Sequence, residues 1–141
     1  MAVALHRQVE LLDLDLFAGS SVREASRIRS LLTMLAAPAG TVLIKEGTYG
    51  QEFMILASGE ASVTVGGRAV ATIGAGDFIG EMSLLDGDLR SATVTALTPI
   101  TFYVCNSAEF AGILATSPSV AARITEAAAA REASNAEALA A

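Results

Sequence analysis

Gly76-Asp77-Phe78-Ile79-Gly80-Glu81-Met82-Ser83-Leu84-Leu85-Asp86-Gly87-Asp88-Leu89-Arg90-Ser91-Ala92-Thr93-Val94 is the stretch on which the reading of this chain turns. It joins two β-rich runs by a connection too long for a hairpin, and it carries one short helical run, Ser83-Leu84-Leu85. Glycine at 80 permits close backbone approach to a ligand. The amides of Met82 and Ser83 fall at the start of the helical run, where unpaired N–H groups attract anions. Arg90 returns nine positions after Glu81 and is placed to face the same loop. Together they read as a pocket with one anion clamp and one carboxylate, suited to a phosphate and to a hydroxyl pair such as ribose. On spacing alone a plainer reading stands beside this one: a surface ion pair worth under ~1 kcal/mol.

Outward from that stretch, the chain between Thr41 and Cys105 alternates short β-rich runs with glycine. Thr41–Ile44, Phe53–Leu56, Ala61–Val65, Arg68–Ile73, Ala92–Ala96 and Thr101–Cys105 all have strand character. Gly66-Gly67 between two of them is a hairpin signal, since both turn positions can take positive φ. Many short strands at this spacing argue for a small sandwich or barrel. On either side the period changes to that of helices. Leu5, Val9, Leu12 and Leu16 recur at spacings of three and four, and Gly19-Ser20-Ser21 then breaks the helix. Either serine can cap a second helix whose marked side is Val22, Ala25, Ile28, Leu32 and Leu35. After the strands, Ser107 can cap a helix carrying Phe110, Ile113 and Leu114. Ser117-Pro118 is a cap with proline in the first helical position. The alanine-rich tail that follows has strong helix propensity, with Ser134-Asn135 the expected place to fray or bend. The fold expected is α+β, a single domain over 1–141: helices about 3–36, an antiparallel β-roll about 40–106, and C-terminal helices about 107–141.

Composition narrows the function. The 141 residues are 52% hydrophobic and carry a net charge of −6. That balance provides no basic face for nucleic acid and disfavours an anionic membrane surface. His6 is the single histidine and Cys105 the single cysteine. Most zinc sites, histidine-based hydrolases and an internal disulfide are thereby excluded. No apolar run approaches the ~20 residues of a membrane span, and the first residues lack the pattern of a signal peptide. A cytoplasmic protein is expected, with no metal, no cofactor and no catalytic residues.

Gly80-Glu81, followed nine positions later by Arg90-Ser91-Ala92-Thr93-Val94, resembles the phosphate-binding cassette of the cyclic nucleotide-binding domain family. That family includes kinase regulatory subunits, the catabolite activator protein and cyclic-nucleotide-gated channels. Leu16-Phe17, the run from Gly40 to Gly47, then Gly50, Phe53, Ile55, Gly59, Phe110 and Pro118 fall into the same register. The resemblance covers about Leu11 to Ala130. It implies that Glu81 accepts a hydrogen bond from the ribose 2′-hydroxyl and that Arg90 pairs with an exocyclic phosphate oxygen. It also implies that the backbone around Gly80 and the N–H groups of Met82, Ser83 and Ser91 hold the phosphate. Val63, Val70, Ala71 and Ile79 then line the pocket for sugar and base, with core packing the alternative role for Val63 and Val70. Serine after the arginine leans to cAMP, with cGMP the other candidate.

In the family the C-terminal helix caps the base. Here the helix offers Ile124, Arg123 and Arg131, with Ile124 the candidate contact and a solvated helix charge the favoured role for both arginines, since arginine is seldom buried. Few large side chains mark this helix, so it is expected to dock weakly and to act as the switch. The function expected is a stand-alone cyclic nucleotide sensor addressing an unidentified effector protein. A second copy of the chain is a further candidate partner, through the alanine face. The alternative is a degenerate domain that serves as an interaction or dimerisation unit without nucleotide.

Overall fold

In the computed structural model, residues 11–140 are described, with side chains as far as Glu137. The expected helix through Leu5 and Val9 lies largely outside that range. Within it, Leu11–Asp13 and Asp15–Phe17 form two 3-10 turns. Helix α1, Val22–Ser30, follows. Ser21 accepts from the Glu24 amide while Glu24 accepts from the Ser21 amide, a complete capping box.

Eight strands come next, interrupted once by helix. They are β1 (Thr33–Ala37), β2 (Val42–Ile44), β3 (Phe53–Ser58), β4 (Ala61–Val65), β5 (Arg68–Ile73), β6 (Phe78–Ile79), β7 (Thr93–Ala96) and β8 (Ile100–Cys105). Helix α2, Glu81–Asp86, sits between β6 and β7; α3, Ser107–Thr116, and α4, Pro118–Ala140, close the chain. The strands form two four-stranded antiparallel sheets, ordered β1-β8-β3-β6 and β2-β7-β4-β5. This is the expected α+β roll with flanking helices.

The second helix is shorter than expected. It stops at Ser30, and Thr33–Ala37 is a strand whose partners, Val104 to Ile100, lie some seventy residues on. Leu35, assigned to a buried helix face, is 47% exposed in that strand, and Val22 is exposed as well. Long-range pairing overrides a helix propensity that Met34-Leu35-Ala36-Ala37 carries locally. The roll therefore begins at Thr33 and not near residue 40. Two further details differ. Asn106, and not Ser107, caps α3, in a capping box with Glu109. No break occurs at Ser134-Asn135, because α4 runs on to Ala140.

The core has two layers, and β3 belongs to both. Phe53, Ile55 and Ala57 face the helices, where they join Phe17, Ile28, Phe110, Ile113, Val120 and Ile124. Met54 and Leu56 face the other sheet, packed with Ile44, Ile79, Val94 and Phe102. Alternation along one strand thus buries both faces. Gly66 and Gly67 turn the β4–β5 hairpin with φ of 58° and 80°, as their pairing predicts.

Candidate functional site

All ten expected site residues line one cavity: Gly80, Glu81, Met82, Ser83, Arg90, Ser91, Val63, Val70, Ala71 and Ile79. Its volume is about 120 Å³, and it is partly open to solvent. Its floor comes from both sheets. The register of β4 on β5 shifts after Val63↔Ala71, so that Thr64 pairs with Ala69 and Val70 is the extra residue of a bulge. A bulge re-aims side chains, and here two consecutive residues, Val70 and Ala71, reach the same cavity. Val63 and Ile79 both pack on the inter-sheet core and line the cavity. Half-buried Val70 is on the cavity side.

The polar wall is the segment around α2. Gly80 has φ 94° and provides no side-chain cap. The first amides of α2 therefore have neither an intrahelical partner nor a capping side chain. Glu81 and Arg90 are 1% and 5% exposed, the two buried charged side chains among the described residues. They do not pair with each other. Arg90 donates from Nη1 to the Gly80 carbonyl at 3.1 Å and from Nη2 to the Glu52 carbonyl at 2.9 Å. Among the described residues it forms no ion pair. Burial pushes its pKa below the ordinary arginine value, against the raising influence of Glu52 and Glu81. A guanidinium nonetheless stays protonated. The site thus holds a buried positive charge whose contacts are neutral carbonyls.

Glu81 has a different partner. Arg131 of α4 donates from Nη1 to Glu81 Oε1 at 2.7 Å, and its guanidinium carbon lies 4.8 Å from the centre of the Phe78 ring. One turn on, Asn135 Nδ2 donates to Ser91 Oγ at 3.3 Å. Arg131, Ser134 and Asn135 complete the cavity wall. Sequence reading missed Ser134 and Asn135, and it weighed Arg131 for the base but favoured a solvated charge. A signal was present: polar residues at i, i+3 and i+4 in an alanine-rich helix share one face.

Ile124, expected against the base, is fully buried in the helical core and is not part of the cavity. Arg123 is not free either, donating to the Leu16 and Ala18 carbonyls. No group of His, Cys, Asp and Glu suited to a metal occurs among the described residues. Nor is any described helix long and apolar enough to cross a membrane.

Known proteins share this fold. The family model for the cyclic nucleotide-binding domain matches residues 34–117, more than half of the chain. The chain belongs to that family. Among curated relatives, it is 36% identical over 87 residues to a cyclic nucleotide-gated potassium channel of Rhizobium etli, covering 62% of this chain and 24% of the channel. It is 42% identical over 79 residues to a cAMP-dependent protein kinase regulatory subunit of Yarrowia lipolytica, covering 55% of this chain and 21% of that protein. The chain thus spans about a fifth to a quarter of these relatives.

Solved structures match over a larger share of the chain. The catabolite activator protein of Thermus thermophilus superposes with a TM-score of 0.73 at 29% identity, over 86% of this chain and 59% of that one. The structure described as Sp-2Cl-cAMPS bound to PKAR CBD2 gives 0.75 at 25% identity, over 82% and 80%.

Proposed function

We propose that this chain is a regulatory sensor that binds cAMP between the α2 segment and α4. The observation that carries the reading is Arg90. A buried guanidinium, held by neutral carbonyls beside uncapped helix amides, is matched by an anionic ligand that brings the countercharge. The cyclic phosphate pairs with Arg90 and accepts from the backbone N–H groups of Met82, Ser83 and Ser91. Glu81 accepts from the ribose 2′-hydroxyl, and the purine rests against Val63, Val70 and Ala71. The preference for cAMP over cGMP rests on Ser91. In this reading the output is a change of shape.

That change centres on the far half of α4. A ligand moves an equilibrium only through contacts that differ between two states. Here nucleotide enters a wall built of Arg131, Ser134 and Asn135, and it changes what Arg131 and Asn135 hold. An effector protein reads the resulting position of the helix, and the alanine-rich outer face also suits a second copy of the chain.

Calorimetric titration with cAMP and cGMP tests the reading. Arg90→Ala removes one side of a buried charge contact, which typically costs ~2–5 kcal/mol, at least about a tenfold loss of affinity. A folded Arg90→Ala protein that binds as tightly as the parent overturns the assignment. A second reading has one observation in its favour: Glu81 already has a partner in Arg131. A pocket closed by its own helix describes a degenerate domain that docks protein and not nucleotide. Absence of binding heat from either nucleotide selects that reading.

A further inference from the structure

The loop joining β2 to β3, residues 45–52, is wrapped around Arg90. The Gly47 amide donates to the Arg90 carbonyl and the Arg90 amide to the Thr48 carbonyl, both at 2.8 Å. The Arg90 side chain reaches the Glu52 carbonyl at 2.9 Å. Between these anchors lies Gly50. A β-carbon at position 50 would stand 2.5 Å from Cζ and Nη2 of Arg90 and closer still to Nε, so its three nearest neighbours are one guanidinium. The backbone does not demand glycine here. Gly47 and Gly80 have φ of 80° and 94°, whereas Gly50 is absent from the positive-φ glycines. At Gly50 the demand is for space alone.

We infer that Gly50 is a positioning residue for the anion clamp. Its bare α-carbon forms the slot in which the Arg90 fork is held against the Gly80 and Glu52 carbonyls. The inference rests on Arg90 being the phosphate-binding group proposed above. A guanidinium is the far end of a flexible side chain, so alanine at position 50 displaces Arg90 and leaves the loop backbone in place. The fold tolerates that change and the ligand does not.

The experiment is a cycle of four proteins: parent, Gly50→Ala, Arg90→Ala and the double variant. Each is titrated with cAMP by calorimetry and melted without ligand. Gly50→Ala is expected to weaken cAMP by roughly tenfold to a hundredfold, the worth of a charge-assisted hydrogen bond. On the Arg90→Ala background it should neither weaken binding further nor lower the melting temperature, because the clashing atoms are gone. Parent-like binding by Gly50→Ala, with Arg90→Ala impaired, overturns the slot and leaves the phosphate reading intact. Parent-like binding by Arg90→Ala overturns both. Equal losses from Gly50→Ala on the two backgrounds also overturn it, since Gly50 would then act on the loop and not through Arg90. If Gly50→Ala fails to fold, recovery of the melting transition in the double variant supports the slot, and no recovery refutes it.

Discussion

The two halves of α4 are held to the body of the protein by different physics. Val120 and Ile124 have no exposed surface, and Ala127 packs beside them in the helical core. Beyond Ala127 the contacts become polar: Arg131 on Glu81 and over Phe78, then Asn135 on Ser91. Residues 120, 124, 127, 131 and 135 recur at helical spacing, so a single face is greasy at its base and polar toward its tip. Apolar burial is non-directional and lost only by undocking. Hydrogen bonds and ion pairs can be exchanged for ligand contacts. In the proposed reading the first half is the anchor and the second the responsive part; Val120 and Ile124 give the first half an apolar seat that the helix's alanine content alone does not suggest.

The largest effect expected is at the anchor. Ile124→Ala should cost ~2–5 kcal/mol of stability, as cavity-forming substitutions do, measured from the urea unfolding midpoint. Cys105 shares that core and reports on its opening. Burial first, then Glu109, pushes the thiol pKa up to about 12 from 9.0, so thiol reagents should react slowly with the parent at neutral pH and faster with Ile124→Ala. The sign in pH follows from the same shift. The neutral thiol contributes stability in full below pH 9.0 and loses it as pH rises through about 12. If Ile124→Ala leaves both midpoint and thiol reactivity unchanged, the base of the helix is not the anchor.

A smaller effect is expected at Arg131. Arg131→Ala leaves the Glu81 carboxylate, 1% exposed, without its ion pair, a penalty of ~1–3 kcal/mol for a buried group left unsatisfied. Hydrogen exchange locates the consequence. Amides of residues 128–137 should exchange faster while 118–127 keep their protection. Acceleration spread evenly from Pro118 onward breaks the division of the helix into two parts.

How far this arrangement was legible in the sequence depends on the range of each contact. Gly80, Glu81, Arg90 and Ser91 lie within twelve residues, and one short segment brings all four to the same cavity. Gly66-Gly67 and Ser117-Pro118 are local signals that local chemistry fulfils. Strand β1 was illegible because its partner, β8, is distant in the chain and its own residues suit a helix. Strand β6 escaped because two residues, Phe78 and Ile79, carry no period. Ile124 was assigned to the base because a large apolar residue in a capping helix suits either a ligand or the core. The core takes it, since Phe17, Phe53 and Phe110 reach the same cluster. Arg131 was read chiefly as a solvated charge because its partner is fifty positions away.

The smallest effect expected lies at the tip. Asn135 donates to Ser91 Oγ at 3.3 Å in a half-buried setting, and such a bond contributes about 0.5–1 kcal/mol. Asn135→Ala alone should therefore lower the melting temperature by only ~1–4 °C. Its value is in combination with Arg131→Ala. Where Arg131 is intact, the far half of α4 stays seated and the Asn135 bond is there to lose. Where Arg131 is gone, a segment that docks as a unit has already left Ser91, and removing Asn135 should cost nothing more. Thermal or urea unfolding of the two single variants and the double variant reads the coupling directly. Losses that simply add would mean that each contact closes independently. The far half of the helix would then zip along the pocket turn by turn, and its response to a ligand would be graded and not two-state.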